Sequence, residues 1–292
     1  MKISSIPALS SPNPATAINI AIITATLILL VAGFYLSPVQ TGDDWSVFYG
    51  AAHRVLAGES PFSRLVTFAY FSNPPWVAVA LVPFAAVPYR LGWAVLSALS
   101  MSALVLVAHR WKFGLFKTIL SLVSPPMIYI LIHCQIDMLI LACLCLPSYL
   151  WPLAALAKPQ AAFGMLFGVP RRHWLIAAGV TLAVIGVSFL VFGNWPLELI
   201  HQPKIMLAGR QNLWIGLWPF QIPAGVALIL LGISRKDERI LVAGSPCLSP
   251  YSTITSTVGP WLALNCALNN WQVLAVWTSW WAAIGYLMMT MR

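Results

Sequence analysis

Apolar stretches long enough to cross a bilayer alternate with short polar loops along most of the chain. The strongest runs cover 17–36, 91–108, 115–132, 174–192, 213–233 and 271–289. Each is close to the 20 or so residues that a membrane-spanning helix needs. Shorter or proline-interrupted runs cover 75–88, 135–151, 153–169 and 240–268, the last long enough for two passes or a broken pair. The pattern predicts about nine to eleven membrane elements in a single all-α domain over 1–292, because in lipid an open strand edge or bare loop leaves backbone polar groups unsatisfied. The first run is an uncleaved helix rather than a signal peptide, since it is too long for one and no small-x-small cleavage site follows.

Prolines mark where the apolar pattern breaks. Pro74–Pro75, Pro125–Pro126 and the triplet Lys158, Pro159, Gln160 fall inside or beside apolar runs. A proline removes a backbone donor and stops or kinks a helix, so these positions predict half-helices of the sort that line cavities at membrane depth.

One loop has a different rhythm. Between 37 and 74, Trp45, Phe48/Tyr49, Ala52 and Val55/Leu56 recur at three- and four-residue spacing, with His53 and Arg54 off the stripe. That spacing predicts a short amphipathic helix lying in the membrane interface. Gly58 is placed to end it, with Pro61 just beyond. Asp43 and Asp44 stand at its start, where a carboxylate suits an N-cap. Capping and chemistry are compatible roles, because a cap fixes the carboxylate at one point on the surface.

Composition sharpens the picture. Sixty per cent of residues are hydrophobic and 8% charged, against roughly 25% charged in an ordinary soluble domain. The chain is therefore an integral membrane protein of the multi-pass kind, placed in the cell membrane. Its net charge of +9 comes from scattered cations and short loops. Membrane orientation and contact with anionic lipid explain that charge better than nucleic acid does. The five cysteines lack zinc-ligand spacing and read as packing residues. No Asp-x-Asp motif and no helical His pair suggests a metal, and no glycine-rich phosphate loop suggests a nucleotide cofactor.

The basic loops set an orientation. Residues 170–173 and 234–239 bracket two long runs and should be cytoplasmic, which sends 193–212 and the Asp43/Asp44 loop outside. If every run from 75 to 169 crosses once, Arg110, Lys112 and Lys117 fall outside, against the positive-inside rule. Two readings are open there: the count is off by one, or those cations hold an anion.

The residues Asp44-Trp-Ser-Val-Phe-Tyr49, Ala51-Ala52, Leu56-Ala-Gly58, Pro61-Phe62 and Asn73-Pro74-Pro75 resemble, in order, the first-loop signature of glycosyltransferase family 87. These are polytopic transferases of the GT-C fold, among them polyprenol-phosphate-mannose-dependent mannosyltransferases. Weaker similarities follow at Ser124-Pro125-Pro126, at Cys134-Gln135 where the family often has Gly-Gln, at Lys158-Pro159-Gln160 and at Ser245-Pro246. The chain is shorter than is usual for the family. The resemblance implies a GT-C-like helical bundle carrying its catalytic Asp in the first extracytoplasmic loop. It implies inverting transfer of a sugar, mannose or another hexose or pentose, from a polyprenyl-phosphate donor to a lipid or glycan acceptor on the outer face.

In that scheme Asp44 is the general base and Asp43 the neighbour able to replace or tune it. An intramembrane cation at a helix break, Lys158, is the first candidate for the donor phosphate, against a lysine snorkelling to the surface. Arg54, Arg64, Arg110, Lys112, Gln135, His201 and Arg210 complete the candidate contacts, with Lys117 and Lys204 behind them. Asp137 reads as either interfacial or cavity-lining. Tyr251, Ser252 and the hydroxyl run to Thr257 read as cavity or helix-packing groups. Glu59 and Glu198 read as solvated, and Asp237 and Glu238 as partners of nearby cations. Two other classes remain: a transporter or flippase of a lipid-linked substrate, and an inactive GT-C-like membrane subunit.

Overall fold

A computed structural model describes residues 14–39, 43–62, 71–201 and 212–290. Within them all regular structure is helical. Three helices are long and apolar enough to cross a membrane among the described residues, Tyr89–Arg110, Arg171–Phe192 and Asn270–Thr290, and a bent pair makes a fourth. The α-helical part of the second, Trp174–Phe192, is α10 here; Tyr89–Arg110 is α4 and Asn270–Thr290 is α15. The bent pair is α5, Leu115–Leu122, and α6, Pro125–His133, set at 47°. Pro125 and Pro126 open α6, where missing N–H groups cost nothing, and they account for the bend.

Several predicted membrane elements are not single helices of membrane length. The run 135–151 folds as α7, Asp137–Ala142, followed by short 3-10 turns. The run 153–169 is divided by Pro159 into α8, Trp151–Ala157, and α9, Pro159–Ala162, plus a turn at Phe163–Gly168. After α11, Trp195–His201, the run 213–233 keeps only α12, Ile222–Arg235, as helix. The run 240–268 becomes α13, Glu238–Gly244, two 3-10 turns and α14, Val258–Ala267. Apolarity alone gave these stretches membrane length; proline and glycine cut them into pieces.

The long helix α4 is the ruler of the bundle. At about 1.5 Å per residue its 22 residues rise about 33 Å. At its start, the Tyr89 carbonyl accepts from the Trp45 indole at 2.9 Å. Trp45 belongs to α2, Asp43–Leu56. Arg90 donates to the carbonyls of Tyr35, at 2.6 Å, and Ser37, so it closes off the end of α1, Pro14–Leu36. At the other end of α4, Arg110 forms a bidentate pair with Glu238, both contacts at 2.7 Å, and the Trp111 indole joins at 2.9 Å. The α2 end and the 237–239 turn are therefore opposite ends of the molecule.

That pairing settles which of the two readings of 110–112 holds. Arg110 shares an end with Glu238 and Arg239, so the crossing count was off, because the run 75–88 keeps only an 11-residue helix and stays beside α2, with Tyr49 donating to the Val87 carbonyl and Trp45 to the Tyr89 carbonyl. Arg110 is occupied by Glu238 and is not brought to the site described below. Lys112 is exposed at the same end. Lys117 caps the end of α14 by donating to the carbonyls of Asn265 and Leu268 at 2.7 and 2.6 Å.

Tight helix packing rests on small residues. A Cβ on Gly92 would come within 2.2 Å of the Phe84 carbonyl and 2.8 Å of the Trp45 ring, so only glycine lets α2 and α3, Pro75–Ala85, close on α4. Trp45, Ala51 and Ala52 are wholly buried there. The amphipathic helix is thus seated in the fold rather than only resting on an interface. By contrast α10 and α15 are mostly exposed apolar surface, as lipid-facing spans should be.

Candidate functional site

Four separate stretches of chain converge on one buried polar chain. α2 supplies Asp44, in its first turn. The helix begins at Asp43, two residues before Trp45, so Asp44 is inside it, and its Oδ2 accepts from the Gln135 Nε2 at 2.6 Å. The capping expectation is corrected accordingly: a tertiary partner holds this carboxylate.

Gln135 follows the end of α6. Cys134 closes that helix in the left-handed region, at φ 55°. That is the conformation glycine adopts most readily at a helix end, and it gives a physical reason for a Gly-Gln pattern at this place. Here the cysteine takes the same turn while buried against Ser97. Ser97 lies eight residues into α4, so Cys134 packs about 12 Å along that helix from its start.

Lys158 occupies the break between α8 and α9, where Pro159 ends one helix and starts the next. Its Nζ donates to the Gln135 Oε1 and, at 2.5 Å, to the Asp137 Oδ2. Lys158 does not snorkel: its side chain is 8% exposed and that of Asp137 is 0%. Asp137 opens α7, in the first turn, where the helix dipole favours a carboxylate. Its Oδ1 receives the Ser256 hydroxyl at 3.4 Å from the turn Ile254–Thr257. Asp137 is thus enclosed by protein, the most buried acid among the described residues.

Electrostatics follow this geometry. Burial pushes the Asp44 carboxyl above its usual range, opposed by the Gln135 hydrogen bond, then by Lys158 and His133, and reinforced by Asp137. Tyr251 is pushed up to about 12, by burial first and then by the Asp44 and Asp137 charges it faces. His133 stacks on Tyr129 of α6 with ring centroids 4.1 Å apart.

Two cavities lie beside neighbours of the network, and neither is lined by Asp44, Gln135, Asp137 or Lys158. One, about 480 Å³, is lined by Asn73, Trp76, Pro159, Gln160, Phe189 and Trp195 among others, and flanks Lys158 on both sides in sequence. The second, about 340 Å³, is apolar and lined by Val77, Leu81, Ile136, Leu139 and Ile140. Ile136 points its side chain there while its neighbours Gln135 and Asp137 serve the polar chain.

The chain matches no family model, no curated protein and no solved structure.

Of the residues the sequence singles out, Asp44, Gln135 and Lys158 meet. Arg54 instead donates to the Pro61 carbonyl at 2.6 Å and ties down the end of its own loop. Arg110 and Lys112 lie at the opposite end, and Glu59 and Glu198 are exposed. Arg64, Lys204 and Arg210, and the side chains of Asp43 and His201, lie outside the described residues. Sequence reasoning weighed Asp137 only as interfacial or cavity-lining, without linking it to Lys158, and took Ser256 only as one of the hydroxyl run. An aspartate two residues from Gln135, at the start of an apolar run, was the available signal.

Proposed function

We propose that this protein is a membrane glycosyltransferase of GT-C type that transfers a sugar from a polyprenyl-phosphate donor to a lipid or glycan hydroxyl, with inversion. One observation carries the reading. Asp44, Gln135 and Lys158 come from three separate motifs of the family 87 resemblance, and they lie in one hydrogen-bonded chain.

In this reading the acceptor oxygen attacks the anomeric carbon from the face opposite the phosphate. The bond from that carbon to the phosphate oxygen breaks, and polyprenyl phosphate leaves with the electron pair. Asp44 takes the hydroxyl proton. A carboxyl raised toward neutrality by burial is better matched to that task than a fully solvated one. Lys158 has three N–H donors, two of them given to Gln135 and Asp137. The third is assigned to a phosphate oxygen of the leaving group. The apolar cavity beside Ile136 suits the prenyl chain.

The outer face is assigned from charge. Arg110, Lys112, Lys117, Arg171, Arg172, Arg235, Lys236 and Arg239 gather toward the end opposite α2. By the positive-inside rule that end is cytoplasmic, which sets Asp44 toward the extracytoplasmic side.

Purified protein in lipid nanodiscs, given polyprenyl-phosphate mannose and an extract of membrane lipids, should form a mannosylated product. If a panel of other polyprenyl-phosphate sugars also gives none, the transferase reading is wrong. Short helices meeting at a buried ion pair would also serve a transporter of a lipid-linked substrate. That reading gains if labelled donor crosses proteoliposomes unchanged.

A further inference from the structure

Gln135 is the hinge of the polar chain, and its amide has two ends with opposite needs. The C=O end only accepts and the NH2 end only donates. Lys158 Nζ can only donate, so the end facing it must be Oε1. The NH2 is then directed to the Asp44 Oδ2 at 2.6 Å. The reverse orientation would set NH2 against ammonium and C=O against carboxylate. Lys158 thus dictates which face of the amide Asp44 meets.

Lys158 is itself held. It is 6% exposed at a helix break, and a buried ammonium without a countercharge is strongly disfavoured. Asp137 supplies that charge at 2.5 Å from a wholly buried position. Its other oxygen takes the Ser256 hydroxyl, so the carboxylate is anchored from a second segment.

We propose that Asp137 is the positioning residue of this site: by holding Lys158 it fixes the Gln135 amide with its NH2 on Asp44. Asp137 acts through Lys158 and Gln135 and makes no bond to Asp44. The inference rests on the transferase reading only where activity is the readout; the geometry it concerns stands without it.

The consequence is a charge balance that can be read at Asp44. Asp137 raises the proton affinity of Asp44, and Lys158 and the Gln135 amide lower it. Among the described residues, the other ionisable groups facing Asp44 are His133 and Tyr129 from α6, the adjoining Cys134, and Tyr251. All of these stay unchanged in the variants that follow.

The experiment is infrared titration of the Asp44 carboxyl in full-length protein in nanodiscs, with 13C-labelled aspartate and Asp44→Asn as the blank. Asp137→Asn should move the Asp44 midpoint to lower pH, because Lys158 is no longer neutralised. Lys158→Met should move it to higher pH. A residue that only held the fold would shift both the same way, or neither, and either result overturns the proposal. Where Asp137→Asn does not fold, the double variant Asp137→Asn/Lys158→Met removes the pair as a unit. Its midpoint should rise, because Lys158 counts for more than Asp137 at Asp44; an unchanged midpoint overturns the proposal. With an active transferase, the acid limb of the pH–rate profile should follow each midpoint. Opposite midpoint shifts in a protein that transfers no sugar would keep the positioning role and sink the transferase reading.

Discussion

Replacing both members of the Lys158–Asp137 pair should hurt far less than replacing either one. The pair is 2.5 Å apart, with side chains 8% and 0% exposed. Asp137→Leu leaves a buried ammonium without its countercharge. Lys158→Met leaves a buried carboxylate and also removes the donor to Gln135. Breaking a buried pair from one side costs about 3–5 kcal/mol, while replacing both members by apolar side chains of similar size is often neutral. The two single costs would sum to about 6–10 kcal/mol on that range. The double variant should instead lie within about 2 kcal/mol of wild type, a large departure from additivity for residues in direct contact. The assay is reversible unfolding in mixed micelles of increasing SDS fraction, followed by far-UV circular dichroism. A double variant as unstable as the sum of its singles would refute a directly coupled buried pair. Single variants indistinguishable from wild type would refute its burial.

Other predictions concern packing, capping and orientation. A Cβ on Gly164 would come within 1.9 Å of the Leu241 carbonyl, so Gly164→Ala should cost about 1–3 kcal/mol. Gly179→Ala, with open space around it, should leave the melting temperature unchanged or raise it slightly. Asp237 caps α13 by accepting from the Arg239 backbone N–H at 2.9 Å, and Asp237→Ala should cost about 1 kcal/mol at neutral pH. Most of that loss comes from the cap, since a half-exposed ion pair contributes little. Arg239 lowers the folded pKa of Asp237, so its contribution is present above the ordinary carboxylate range and lost as pH falls through the lower folded value. Chemical denaturation at pH 7 and in acid should show the wild type and Asp237→Ala converging in acid. Finally, Lys112→Cys and Glu59→Cys should react with a membrane-impermeant maleimide from opposite sides of oriented vesicles; labelling from one side would break the assigned topology.

Much of the bundle was legible in the sequence because apolar period and length act locally. The spans α4, α10 and α15, and the helix α2 with its stop near Gly58, follow from patterns within one segment. The prolines at 125, 126 and 159 also announced where helices break. What the pattern could not show was whether an apolar stretch crosses or turns back. The run 75–88 is as apolar as a span, yet its end comes back to α2, where Tyr49 donates to the Val87 carbonyl and Trp45 to the Tyr89 carbonyl. That return depends on partners far away in sequence.

The site divides in the same way. Asp44, Gln135 and Lys158 were picked out by motif, while the link between them was not, since it joins positions up to 114 residues apart by their numbers. Arg110 was misread because its charge pattern was visible and its partner Glu238, 128 positions on, was not. Asp137 was weighed as interfacial because an acid at the edge of an apolar run usually is. Only the close approach of Lys158 at a proline break explains how it is buried instead.

The most direct test of the transferase reading compares wild type, Asp44→Asn and Asp43→Asn at matched membrane levels for transfer of radiolabelled sugar from polyprenyl phosphate to membrane lipids. Product from wild type and Asp43→Asn, with none from Asp44→Asn, is the expected result. Undiminished product from Asp44→Asn would remove Asp44 as the base and contradict the site built around it.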